Sequence, residues 1–153
     1  MAIIDTYGEL SDAQEVASTV ASTDIIDWTA SDKSLGVADQ LYLNITCNTT
    51  FAGNAGTLTI ALCYDTVAPV DGASTVIYQT PAFALNSNQL TAYDGKTKGL
   101  ILCMPLPDNV DEERILGLYY TVGAGPFTSG KIDAWIGAPM QSRYNTQVAA
   151  SNV

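Results

Sequence analysis

Leu41-Tyr42-Leu43-Asn44-Ile45-Thr46-Cys47-Asn48 is followed by Phe51-Ala52-Gly53-Asn54-Ala55-Gly56 and then by Thr57-Leu58-Thr59-Ile60-Ala61-Leu62-Cys63-Tyr64. In the first run the apolar residues fall on odd positions and mostly polar ones on even positions, so one face of a strand meets a core and the other meets water. The third run repeats the pattern, with Leu58, Ile60, Leu62 and Tyr64 on one side and Thr57, Thr59 and Ala61 on the other. Turn-forming residues lie between them, which predicts a hairpin.

The same grammar extends in both directions. Asp24 to Trp28, Ser74 to Thr80, Ala82 to Leu85, Gly99 to Met104, Ile115 to Val122 and Lys131 to Ile136 are further strand candidates. Pro69 to Gly72, Asn86 to Asn88, Asp94-Gly95, Pro105 to Asp108 and Gly123 to Gly130 punctuate them. About eight strands and almost no helical periodicity predict an all-β antiparallel sandwich or barrel. Residues 11 to 22 are the one place a helix could start: Ser11 and Gln14 have capping-box spacing, and Ala13, Val16, Ala17 and Val20 have helical spacing. The β-branched Val16, Thr19, Val20 and Thr23, with Ser18 and Ser22, favour an extended segment instead.

At 153 residues the chain is long enough for one domain that buries roughly 70% of its unfolded surface. Three cysteines without a CxxC pair, Cys47, Cys63 and Cys103, each in an apolar or alternating run, read as reduced thiols packing as small hydrophobes. The first residues, Met1-Ala2-Ile3-Ile4-Asp5-Thr6, lack the pattern of a signal peptide, and no apolar run approaches a membrane span. Synthesis in a reducing cytoplasm is expected, which leaves the sequons at Asn44 and Asn48 without meaning.

Charge narrows the function. Sixteen acids against six bases give a net charge of −10, which argues against gripping nucleic-acid phosphates. The absence of histidine removes the commonest general base and metal ligand. Gly125-Pro126-Phe127-Thr128-Ser129-Gly130-Lys131 matches the start of a phosphate-binding loop, but Ile132 follows where Ser or Thr is required. A strand also follows where a helix is needed, and a hairpin connection suits these residues better. Asp111-Glu112-Glu113-Arg114 lacks the spaced ligands of a calcium loop and reads as a solvated loop. No enzymatic activity, cofactor or metal is expected.

The acids are unevenly placed: residues 1 to 39 hold eight of them against Lys33, a net of −7. This segment reads as a solvated arm or as a strip that lies on a basic partner. Residues 138 to 153 lose strand periodicity and read as a tail. The expected organisation is therefore an N-terminal arm over 1–23, a β body over 24–137 and a C-terminal tail over 138–153. Tyr119-Tyr120 must send one ring to each face of its strand, one into the core and the other to cross-strand packing, a partner or a carbohydrate.

Leu10-Ser11-Asp12-Ala13-Gln14, Ala21-Ser22-Thr23-Asp24-Ile25-Ile26-Asp27 and, most specifically, Tyr120-Thr121-Val122-Gly123-Ala124-Gly125-Pro126-Phe127-Thr128-Ser129-Gly130-Lys131-Ile132-Asp133-Ala134 resemble the capsid cement (decoration) proteins of podovirus-type tailed bacteriophages. The resemblance runs over most of residues 1 to 137. It implies a β jelly roll on the outer face of an icosahedral capsid, clamping neighbouring copies of the major capsid protein. It also implies a homo-oligomer, with a dimer favoured and a trimer possible. No nucleic-acid or membrane partner is expected. On this basis Ile3, Ile4, Tyr7, Glu9, Leu10, Asp12 and Glu15 of the arm, with Arg143 and Tyr144 of the tail, are the expected partner contacts. The alternative is a carbohydrate-binding β-sandwich module of a phage adhesin, stacking exposed Tyr or Trp on sugar rings.

Overall fold

The computed structural model describes residues 8–28, 40–95, 98–107 and 114–140. These residues form ten strands: β1 (Glu9–Glu15), β2 (Val20–Ala21), β3 (Ile26–Asp27), β4 (Tyr42–Gly53), β5 (Thr57–Asp65), β6 (Thr75–Gln79), β7 (Phe83–Ala84), β8 (Leu100–Pro105), β9 (Ile115–Gly123) and β10 (Phe127–Gly137). One 3-10 turn, Asn88–Leu90, is the only helical element among the described residues.

Two antiparallel sheets face each other. One has the order β1-β10-β4-β8; the other has β2-β9-β5-β6, with β3 also on β9 and β7 also on β5. Setting aside the two-residue β3 and β7, eight strands remain, and their pairing is nested: first with last (β1 and β10), second with seventh (β2 and β9), third with sixth (β4 and β8), fourth with fifth (β5 and β6). Rolling that long antiparallel ribbon so that β10 meets β4 and β9 meets β5 gives a jelly roll. The fold is therefore the expected all-β antiparallel jelly-roll sandwich.

The alternating runs fill its interior. Leu43, Ile45 and Cys47 from β4 and Leu58, Ile60 and Leu62 from β5 meet Leu116, Leu118 and Tyr120 from β9 and Ile132, Ala134 and Ile136 from β10, all buried. Each fully buried aliphatic side chain contributes roughly 1.5–3 kcal/mol relative to exposure.

Two connections depart from expectation. Residues 54–56 and 124–126 do not close hairpins: β4 and β10 lie in one sheet, β5 and β9 in the other, so both are arches crossing the sandwich. Turn residues serve an arch as well as a hairpin, because both need backbone at positive φ, here Gly53 at 137°, Ala124 at 61° and Gly125 at 113°. The arches run side by side, with Phe127 opposite Gly53 and Thr57 opposite Gly123. Phe51 and Phe127 close this end of the core edge to face, with ring centroids 5.0 Å apart.

A second, smaller cluster lies on the outer face of the β9–β5 sheet. Val70, from the loop after β5, covers Ala61 and Cys63 beside Ala21 and Tyr119. Asp65 ties that loop down: its Oδ2 accepts from Ser74 Oγ at 2.6 Å and its Oδ1 from the Thr66 amide at 2.6 Å. These hydrogen bonds, Ser74 first, hold the Asp65 carboxyl below its ordinary range.

Candidate functional site

The expected arm does not begin the way the composition suggests. Residues 9–15 form β1, the edge strand beside β10, and residues 20–21 form β2 beside β9, so this segment belongs to the jelly roll rather than to a free extension. The extended reading of residues 11 to 22 holds and the helix does not form. Leu10, Ser11 and Val16 point inward and are buried, whereas Asp12 and Glu15 are exposed and Glu9 is half-buried. The acids are concentrated on the outward positions, which is why a structured strand reads as a solvated arm.

β1 is irregular. Its register on β10 shifts between Glu9 and Ser11 and again between Ser11 and Gln14, and Ala13 sits at φ 43°. Bulges of this kind bend an edge strand and re-aim its side chains. A polar network holds the bend: Ser11 Oγ donates to Gln14 Oε1 at 2.6 Å, the same oxygen accepts from the Thr23 amide at 2.9 Å, and Gln14 Nε2 donates to the Ala21 carbonyl at 2.7 Å. The spacing that resembled a capping box thus brings Ser11 and Gln14 together across a bulge.

Asp133 fastens the outer surface. Its Oδ1 accepts from the Ala13 amide at 2.6 Å and its Oδ2 from Asn48 Nδ2 at 2.9 Å, linking β1, β10 and β4. The Asp24 amide donates to the Leu10 carbonyl at 3.0 Å, which brings a further acid to the same edge. Glu9 registers the convergence: burial raises its carboxyl pKa, and Asp12, Asp24 and Asp133 raise it further by repulsion. Among the described residues, no group of three or more His, Cys, Asp or Glu is placed to hold a metal ion. What this edge offers is a strip of negative potential on a structured strand.

Of the expected contacts, Glu9, Asp12 and Glu15 therefore share one edge. Leu10 is corrected from a contact to a core residue, fully buried because its side chain faces between the sheets. Ile3, Ile4, Tyr7, Arg143 and Tyr144 lie outside the described residues. Asp24 and Asp133 were missed: both lie in expected strands, but the register that sets Asp133 beside β1 has no local signal.

The start of the tail is anchored. Asn44 Nδ2 donates to the Ala138 carbonyl at 3.0 Å, and Asn44 Oδ1 accepts from the Met140 amide at 3.0 Å. This explains why Asn44, at a position expected to face water, is fully buried. Tyr120 takes the core position of its pair, and Tyr119 packs on its own chain at the Ala61, Cys63 and Val70 cluster.

A jelly roll with an acidic edge strand is the class of protein that these features define. A family model described as Bbp16 matches residues 10–136, from β1 nearly to the end of β10. The chain belongs to the Bbp16 family, a phage-type family. No curated protein matches it.

Proposed function

We propose that this chain is a structural, non-catalytic virion protein that binds the outer surface of an icosahedral tailed-phage capsid and cements neighbouring major capsid protein subunits. It is made in the host cytoplasm and mounted on the mature head as a homo-oligomer. Its phage-type family and the resemblance of the Tyr120 to Ala134 block to cement proteins support this reading.

The observation that carries the proposal furthest is the acidic edge. Asp12 and Glu15 are exposed on β1, and Glu9 sits among acids that already repel it, so a basic partner surface relieves a cost present in the free protein. Repetition over a symmetric lattice lets each copy bind modestly while the shell as a whole is held strongly. Sedimentation of the chain with empty expanded capsid shells tests this. Saturable binding that weakens as salt rises is expected; absence of saturable binding at low salt overturns the proposal.

A further inference from the structure

A row of side chains crosses the outer face of the four-stranded sheet. Glu9 on β1 lies opposite Trp135 on β10, Trp135 opposite Asn44 on β4, and Asn44 opposite Cys103 on β8. Residues directly opposite each other share a face, on strands about 4.8 Å apart. Glu9 and Trp135 are half-buried, and two residues further along the same face Gly137 has no side chain to cover the indole. A Cβ there would meet Trp135 Cδ1 at 3.7 Å and nothing else within 4 Å. An indole face beside a carboxylate suits a guanidinium, which stacks on the ring and forks the acid.

The two ends of β1 differ in charge balance. Glu15 has Lys131 opposite it. The charges that act on Glu9 are all acidic: Asp12, Asp24 and Asp133. Lys98 precedes β8 at the opposite edge of the sheet, and Arg114 sits over the Tyr64 ring in the other sheet, 5.3 Å from its centroid. After Lys131 the chain carries one further base, Arg143, and after Asp133 no acidic side chain.

The last described residues lie on this row. The Met140 amide donates to Asn44 Oδ1 at 3.0 Å, and Asn44 Nδ2 donates to the Ala138 carbonyl at 3.0 Å. Met140 is thereby fixed over β4, one strand spacing from Trp135 and two, about 10 Å, from Glu9. Arg143 follows three residues later, a span of up to about 10 Å before its side chain is counted. So short a tether holds an attached group at an effective concentration on the order of millimolar.

We infer that Arg143 docks on the outer face of the sheet, its guanidinium stacked on Trp135 and paired with Glu9, so that the chain supplies the cation its own acidic edge lacks. On the capsid reading above, on which this consequence rests, a basic partner surface displaces Arg143 to reach Glu9, and the C-terminal segment is a built-in competitor.

Nuclear magnetic resonance of the full chain at low salt tests the docking. The Arg143 δ-methylene protons are expected upfield of their positions in a short peptide of the same sequence, moved by the indole ring current, and back at those positions in Trp135→Leu. Should Trp135→Leu misfold, Arg143→Gln decides, since it leaves every described residue in place. In that variant the Glu9 carboxyl is expected to titrate at higher pH than in wild type, because a nearby cation favours the ionised form, while Glu15 is unchanged. Peptide-like Arg143 shifts in wild type, or a Glu9 titration indifferent to Arg143→Gln, overturn the inference. So does amide protection at Cys103 that is lost on truncation after Met140, which would put the segment on β8 instead. In sedimentation with expanded shells at low salt, Arg143→Gln is expected to bind about threefold or more tighter, because the competing state is removed. Unchanged or weaker binding overturns the inference, whereas a docked Arg143 in a chain that binds no shells overturns only the capsid proposal.

Discussion

Tyr120 Oη and Ser11 Oγ lie 2.8 Å apart inside the protein, 109 residues apart in the chain. Because Ser11 donates to Gln14 Oε1, the tyrosine hydroxyl is the donor to Ser11, and the relay runs from the core of one sheet to the bulged edge of the other. Ser11→Ala leaves a fully buried hydroxyl without its acceptor and is expected to cost about 2 kcal/mol. Tyr120→Phe removes the hydroxyl itself and is expected to cost about 1 kcal/mol. The double variant should cost less than the sum, a coupling read from urea unfolding. Additive losses count against the relay.

Gly130 and Gly125 separate packing from backbone cost near the same arch. Both have positive φ, 148° and 113°. A Cβ on Gly130 would overlap the Phe51 ring, whereas one on Gly125 meets nothing within 4 Å. Thermal or urea unfolding should show Gly130→Ala losing about 3 kcal/mol and Gly125→Ala about 1 kcal/mol. Equal losses would mean that Phe51 does not hold the arch.

How much of this was legible in the sequence depends on whether a feature is local. The alternations at Leu43 to Cys47, Leu58 to Leu62 and Ile132 to Ile136 mark the core faces, because pleating imposes period two on a strand buried on one side. The arches were misread as hairpins because Gly53 and Gly125 carry the same torsional signature in either role; the partner of the following strand decides. Ala61 was assigned to a solvent face. The unbroken apolar run Ile60-Ala61-Leu62-Cys63 was the available signal that both faces of β5 are covered there. At the candidate site Glu9, Asp12 and Glu15 were legible by charge, whereas Leu10 required knowing which way β1 faces.

The buried thiols should make the fold sensitive to alkali. Burial, with Asp133 and Asp65 adding to it, pushes Cys47 up to about 12 and Cys63 up to about 11, against an ordinary value of 9.0. Above pH 9 the unfolded chain releases these protons while the folded chain keeps them, so stability falls as pH rises from 9 until the folded values are reached. Each group contributes a slope of up to about 1.4 kcal/mol per pH unit. Cys63→Ala should flatten the decline between pH 9 and 11 relative to wild type. In native protein a thiol reagent should reach half-buried Cys103 first, and all three cysteines only after unfolding.

Asp65 acts in the opposite pH range. Its carboxyl is held below 3.8, so its anchoring of the loop is complete above that value and is lost as pH falls through the lower folded value. Hydrogen exchange at the Thr66 and Val67 amides, both donors to Asp65, should accelerate in Asp65→Asn at neutral pH and in wild type only under strong acid. Exchange that is unchanged in Asp65→Asn removes the carboxylate from the anchoring of this loop.

The proposed partner binding at the β1 edge predicts an effect of position rather than of total charge. Asp12→Asn with Glu15→Gln removes two negative charges from exposed positions of β1 and leaves buried Leu10, Ser11 and Val16 in place. Thr75→Lys with Gln79→Lys changes the net charge by the same amount at exposed positions of β6, an edge strand of the other sheet. Long-range attraction responds to net charge alike in both pairs, whereas contact pairing responds only where the partner's cations sit. Occupancy on expanded shells at roughly physiological salt should fall about tenfold or more for the β1 pair, corresponding to about 0.7 kcal/mol or more per carboxylate in a partly desolvated contact. The β6 pair should stay near wild type. Equal losses in both would reduce the acidic edge to a source of non-specific attraction, and no loss in either would move the capsid contact off β1.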